Sequence, residues 1–156
     1  MAEIKNDNIL IGNARIMFRN FSGEASKFNR AGDRNFCVII SDSDFANQLK
    51  DEGWNVRIRT YEDSDPVYYI PVSVSFKVIP PNIYMITSNN KVKLTEDNVD
   101  ELDHAEFVNI DLTIRPYHWE VNGKTGIKAY LKTMYATIEE DEWSKKYEEE
   151  EEMPFA

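Results

Sequence analysis

The sequence is poor in the residues from which metal and redox sites are assembled. Cys37 is the one cysteine and His104 and His118 are the two histidines among 156 residues. A lone cysteine cannot close an internal disulfide, which suits a reducing compartment. Neither histidine has a cysteine nearby or a zinc-like spacing, so no metal site and no cofactor are expected. No apolar stretch approaches the ~18 residues that a membrane helix needs. The opening Met1-Ala2-Glu3-Ile4-Lys5 lacks an apolar signal core, so a cytoplasmic protein is expected. Internal repeats are absent, and helical periodicity is weak and short.

What is present is apolar bulk and segregated charge. Apolar residues make up 42% of the chain, with eight Phe, eight Tyr and three Trp, enough for one well-packed domain. The net charge of −10 argues at first against a nucleic-acid partner, because phosphate is held mainly by Lys and Arg. From Glu139 to Ala156, however, nine acids face two lysines, so −7 sits in the last 18 residues and residues 1–138 carry −3. Six further acids lie between Glu96 and Glu106, and the remainder of the body is mildly basic. The expected organisation is one folded domain over 1–138 and an acidic, disordered tail over 139–156.

Alternation of apolar and polar residues marks half-buried strands. Tyr68, Ile70, Val72, Val74, Phe76 and Val78 form one face against Tyr69, Pro71, Ser73, Ser75 and Lys77. Trp54, Val56, Ile58 and Thr60 alternate with Asn55, Arg57, Arg59 and Tyr61, and Val108, Ile110, Leu112 and Ile114 with Asn109, Asp111, Thr113 and Arg115. Near the N-terminus Leu10, Ala14, Ile16 and Phe18 alternate with Ile11, Asn13, Arg15, Met17 and Arg19, and Asn35 to Ile40 reads as a strand buried on both faces. A hairpin is expected from Phe107–Tyr117 and Ile127–Ile138, joined through Asn122-Gly123-Lys124-Thr125-Gly126. Short helices are expected at Asp44–Lys50, capped by Ser41 or Asp42 and ended by Gly53, and at Glu96–Leu102 after Thr95. Ser22–Asp33, Glu62–Asp65 and Pro80–Asn90 read as irregular. Many short strands with short helices between them favour a small antiparallel barrel over a parallel α/β sheet.

With the apolar faces turned inward, the opposite faces carry Arg15, Arg19, Arg57, Arg59, Lys77, Arg115, Lys128 and Lys132 against one acid, Asp111. Tyr61, Tyr69, Tyr117 and Tyr130 are interleaved with them, most closely in Lys128-Ala129-Tyr130-Leu131-Lys132. Single-stranded nucleic acid needs this combination, because bases stack on aromatic faces and cations follow the phosphates. Duplex DNA hides its base faces and has no use for the tyrosines. Lys27, Arg30 and Arg34, in and just after the Ser22–Asp33 loop, complete the expected contact set. The competing explanation is β-propensity for Tyr and edge protection for Lys.

The chain ends in five glutamates, Glu148, Glu149, Glu150, Glu151 and Glu152, followed by Met153, Pro154, Phe155 and Ala156. This ending resembles the tail of phage and bacterial single-stranded-DNA-binding proteins, which close with acids, a small apolar residue, Pro and Phe. Phe28-Asn29-Arg30-Ala31-Gly32-Asp33-Arg34-Asn35-Phe36 is similar to a stretch of phage members, and Asn8-Ile9-Leu10-Ile11-Gly12-Asn13 to the opening strand of bacterial ones. The resemblance implies a five-stranded OB-fold barrel with an extra hairpin. It further implies binding of single-stranded DNA in replication, recombination or repair, and a tail that docks its Phe on replication, recombination or repair proteins. Here Ala156 follows Phe155, so the terminal carboxylate does not sit on the aromatic residue as in that pattern.

Two other classes compete: an acidic DNA mimic or host-factor inhibitor, and a metal-dependent nuclease. A mimic would spread acids over its folded surface, which the basic strand faces oppose. A nuclease would need a carboxylate or histidine constellation, and the acids at 97–103 more simply complement a helix N-terminus. Gly123-Lys124-Thr125 echoes a phosphate-binding loop without its first glycine or its following helix. No enzyme is expected. Oligomeric state is not encoded in these patterns, and homo-oligomerisation stays open.

Overall fold

The computed structural model describes residues 2–27 and 29–139. Ten strands occur among them: β1 Ala2–Lys5, β2 Asn8–Ile11, β3 Ile16–Asn20, β4 Arg34–Ile40, β5 Arg57–Tyr61, β6 Ser64–Val74, β7 Asn82–Ile86, β8 Lys91–Leu94, β9 Phe107–Val121 and β10 Lys124–Ile138. Among the described residues the one α-helix, α1, spans Ser43–Glu52. Asp42 accepts hydrogen bonds from the Asp44 and Phe45 N–H groups at its start, and Gly53 ends it with φ 109°. The second expected helix is a 3-10 turn over Val99–Asp103.

Pairing follows the order β1-β2-β9-β10-β6-β4-β3. Its two ends belong to one run of chain, since only residues 12–15 separate β2 from β3. Ala14 N–H donates to the Ile110 carbonyl of β9, while the Arg15 carbonyl accepts from Ile39 N–H of β4. Successive residues thus bond to opposite neighbours, and the run from Asn8 to Asn20 closes a five-membered barrel with β4, β6, β10 and β9. Within an otherwise antiparallel barrel, β6 and β10 run parallel, with Ala129 beside Val72 and Tyr130 beside Ser73. The core fills the interior: Ile9, Ile11, Phe36, Val38, Ile70, Val72, Ile114, Leu131 and Met134 are all buried, and Phe21 stacks on Phe36 at 5.4 Å.

Several sequence expectations are corrected. Pro80–Asn90 is not wholly irregular, because β7 lies inside it, pairs parallel with β10 and forms a hairpin with β8. In β2 the buried residues are Ile9 and Ile11, one place away from the expected Leu10 face. Phe18 is 55% exposed: Met17 to Asn20 is an irregularity in the β3–β4 ladder, and Phe18 takes φ 54°. Ile58 is also exposed, because β5 pairs only with β6 and covers no core. Val78 lies beyond the end of β6, at 85% exposure. The β9–β10 turn is only Asn122-Gly123, φ 52° and 78°, the double positive φ of a two-residue hairpin, and Gly126 stands inside β10.

Candidate nucleic-acid interface

Strand β6 runs through the centre of the outer barrel face. Ile70, Val72 and Val74 point inward, so Tyr69, Pro71 and Ser73 point out. The registers bring neighbours onto the same row. Ser73 lies between Tyr130 of β10 and Asn35 of β4, and Tyr69 between Arg57 of β5 and Ile39 of β4. Across β9 and β10, Arg115 faces Tyr130 and Tyr117 faces Lys128.

These side chains converge on Tyr130. The Arg115 guanidinium carbon is 4.6 Å from its ring centroid and Lys128 Nζ is 5.1 Å away, while Tyr117 meets it edge-on at 6.1 Å. Cations within about 6 Å of a ring are held by its quadrupole. Tyr130 is therefore fixed in place while its ring stays half-buried at the surface.

Beside it lies a groove of about 620 Å³ whose lining includes Arg30, Arg34, Lys77, Lys128 and Tyr130. Its wall is the loop between β3 and β4, which is braced internally. Asn29 Nδ2 donates to the Glu24 and Asp33 carbonyls, Asn35 Nδ2 donates to Asn29 Oδ1, and Gly32 N–H donates to the Gly23 carbonyl at 2.8 Å. A side chain at Gly23 would meet the Gly32 backbone at 3.1 Å, and its φ is 73°, so glycine is required there. Two acids share the groove region: Arg34 pairs with Glu96 at 3.5 Å and Arg30 with Asp33 at 3.7 Å. Even so, Nε of Arg34 and Nε of Arg115 are buried without a hydrogen-bond partner among the described residues.

A second cluster sits at the middle of β6. Tyr69 is four residues from Ser73, about 13 Å along the strand. Phe18 packs edge-on against Tyr69 at 6.4 Å, and the Arg59 guanidinium lies 5.2 Å from the Phe18 ring and 5.5 Å from the Tyr61 ring. Between the clusters Cys37 faces outward beside Pro71 and Met17. Burial pushes its thiol above the usual range, with the Arg57 charge opposing.

Phe18 and Trp119 belong to this face although the alternation assigns Phe18 to the core and leaves Trp119 unassigned. Trp119 continues the outward series Arg115, Tyr117, Trp119, Val121 and lies opposite Gly126. A Cβ on Gly126 would come within 2.5 Å of the indole, so the glycine is what lets the ring lie on β10. Its signal in the sequence is the two-residue step from Tyr117.

The remaining expected contacts lie elsewhere. Arg15 lines a cavity with Asp42 and Phe45 at the start of α1. Arg19 donates through Nη1 to the Leu102 and Ala105 carbonyls and lies 4.9 Å from the Phe107 ring, fastening the 3-10 segment. Lys132 is at the irregularity between Leu131 and Thr133, exposed on β10, and Lys27 is exposed in the β3–β4 loop. Phe28 and the tail residues Glu148–Glu152, Met153, Pro154 and Phe155 fall outside the described residues. Among the described residues no group of three or more His, Cys, Asp or Glu is placed to hold a metal ion, and no helix is long and apolar enough to cross a membrane.

No curated protein matches the chain in sequence. Among solved structures it is similar to the single-stranded DNA-binding protein from bacteriophage Enc34. The C-terminally truncated form gives a TM-score of 0.55 at 10% identity, covering 88% of each chain. The same phage protein in complex with ssDNA gives 0.54 at 10% identity, covering 88% of this chain and 89% of that one. At this identity the likeness establishes the fold, an OB-type barrel. The family described as "Putative phage ssDNA-binding domain" matches residues 1–156, the whole chain, and the chain belongs to that family.

Proposed function

We propose that the chain binds single-stranded DNA, without strong sequence preference, across the outer face formed by β5, β6, β10 and β9 and the groove beside it. The observation that carries this reading is the convergence of Arg30, Arg34, Lys77 and Lys128 on one groove edged by Tyr130. Cations of this kind meet phosphates, and a half-exposed tyrosine meets a base face whatever the base. Family membership and an ssDNA complex of a phage protein with the same fold support the same ligand here.

The protein acts as a non-enzymatic accessory in phage DNA replication, recombination or repair, in the cytoplasm of the infected cell. Its tail recruits replication, recombination or repair proteins through Phe155 and competes with DNA for the basic groove. A tethered charge of −7 acts at high effective concentration, and salt weakens its effect. Fluorescence titration with oligo-dT, oligo-rU and duplex DNA at two salt concentrations tests the ligand. Binding to oligo-dT that weakens with salt and exceeds duplex binding is expected; duplex preference, or no binding, overturns the reading. For the tail, truncation after Ile138 tightens oligo-dT binding at low salt with a gain that shrinks as salt rises. Phe155→Ala leaves DNA affinity unchanged but loses capture of replication proteins, and retained capture of the same proteins refutes that role.

A further inference from the structure

A third aromatic and cationic cluster lies on the strand that carries Tyr130, outside the groove. Tyr84 of β7 and Tyr135 of β10 are register partners, and their rings stack at 5.3 Å with an interplanar angle of 9°. Lys91 Nζ is 4.6 Å from the Tyr84 ring and 5.1 Å from the Tyr135 ring, and Lys93, exposed, pairs with Tyr84 across β8. Tyr135 is 38% exposed, so the ring pair is not part of the core, whose members here are Ile83, Leu94 and Met134. The nearest acid in register is Asp111, and its Oδ1 accepts the Asn13 N–H at 2.9 Å. Neither Lys91 nor Lys93 is in an ion pair among the described residues.

The geometry of β10 relates this cluster to Tyr130. Tyr135 is five positions beyond Tyr130, an odd step that in a regular strand puts the two on opposite faces. The bulge between Leu131 and Thr133 reverses the parity: Leu131 is buried before it, Met134 and Ala136 after it, and Tyr135 emerges on the side of Tyr130. The two tyrosines are about 15 Å apart along the strand. That is at most four or five nucleotides at ~3.4 Å each, and fewer in an extended strand.

Resting on the reading of the chain as a single-strand binder, we propose that Tyr84, Tyr135 and Lys91 form a second stacking subsite, which takes the continuation of a DNA strand held at Tyr130. The flat ring pair presents a π-face to a base and the two lysines face the adjoining phosphates. An acidic peptide would engage the lysines and leave the ring faces unused.

The test compares the full chain with Tyr135→Ala, Tyr135→Phe, Lys91→Gln and Tyr130→Ala, titrated with labelled oligo-dT of about 3 nucleotides, too short to span both sites, and about 16 nucleotides. Tyr135→Ala should weaken binding of the longer oligonucleotide about tenfold and leave the shorter one within twofold, while Tyr130→Ala weakens both. Tyr135→Phe keeps the ring and should match the parent, and Lys91→Gln should lower the salt slope by ~0.7 for the longer oligonucleotide only. Equal loss on both lengths with Tyr135→Ala, or none on the longer at an unchanged melting temperature, overturns the subsite. A synthetic peptide of residues 148–155 that binds the parent but not Tyr135→Ala, with DNA binding unaffected, also overturns it and assigns the patch to the tail. Failure of the parent to bind either oligonucleotide removes the single-strand reading itself, and the subsite with it.

Discussion

Replacing Tyr130 separates the roles of the outer face and the core. Its ring stacks on no core residue, yet it gathers Arg115, Lys128 and Tyr117 within 4.6–6.1 Å. Stacking of one base on such a ring contributes about 1–3 kcal/mol. Tyr130→Ala should therefore raise the Kd for oligo-dT by roughly 5- to 150-fold. The folded state also loses two exposed cation–π contacts of about 0.5–1 kcal/mol each and an edge-to-face contact of similar size. Ala129 and Leu131 on the inner face are untouched. Stability should fall by about 1–3 kcal/mol, a loss of several degrees in Tm that leaves a domain of ordinary stability folded at 25 °C. Tyr130→Phe keeps the ring and should bind like the parent. The assay is quenching or anisotropy with oligo-dT, paired with thermal melting by circular dichroism. Tyr130→Ala folded at the assay temperature and binding within twofold of the parent at every salt concentration would refute the reasoning.

Lys128→Ala and Arg57→Ala should each lower the slope of log K against log salt by ~0.7, and an unchanged slope removes that residue from the contact set. Glu96→Gln frees Arg34 from its partially exposed ion pair and should tighten oligo-dT binding by a few-fold, within the ~1 kcal/mol such pairs are worth; weaker binding would show that Glu96 positions Arg34 for DNA. Gly126→Ala drives a methyl group into Trp119, so it should shift the tryptophan emission and lower Tm; a spectrum and Tm equal to the parent's would mean that the indole does not rest on β10. Alkylation of Cys37 in the folded chain should be slow at neutral pH and rise only above the range of an ordinary thiol, since the thiolate is the reactive form and burial disfavours it. Saturating oligo-dT should slow it further, and equal rates with and without DNA would place the strand away from the face centre.

Where the period of two held, the sequence carried the structure. Ile70, Val72 and Val74 alternate with Tyr69, Pro71 and Ser73 as the pattern demands, and Ile110, Leu112 and Ile114 fall inward on β9. The helix ends were legible from their chemistry, because an Asp side chain at the start and a glycine at the end satisfy backbone groups that the helix leaves open. Strands β1, β7 and β8 were not legible: each is four or five residues long, too short for alternation to stand out. Charge type revealed the groove only in part. Arg19 and Arg34 look alike in the sequence, yet one is spent on the Leu102 and Ala105 carbonyls while the other lines the groove in an ion pair with Glu96. Closeness of Tyr84 to Tyr135 depends on a parallel pairing between segments some fifty residues apart, which no local pattern encodes.

The exposure of Phe18 and the reversed parity of β10 have a common origin. A strand of unbroken period two can present only one parity of residues to solvent, so a barrel of regular strands would draw Phe18 inward together with Ile16. The irregularity at Met17–Asn20 and a positive φ at Phe18 turn that ring out, where it meets Tyr69 and Arg59. A left-handed conformation costs a non-glycine residue about 1–2 kcal/mol, and packing of Phe21 and Phe36 on one side with the β4 ladder on the other holds the backbone there. The same device recurs at Arg59–Tyr61, beside the Tyr61 ring, and at Leu131–Thr133, between Tyr130 and Tyr135. At Phe18 and in β10 the bulge spends ladder regularity to place an aromatic ring on the outer face without taking an apolar residue out of the core. Phe18, Tyr61 and Tyr130 thus stand next to positions where alternation fails, while Tyr69 and Tyr117 follow it. A sequence reading that extends strands by strict alternation goes astray most readily at those same positions.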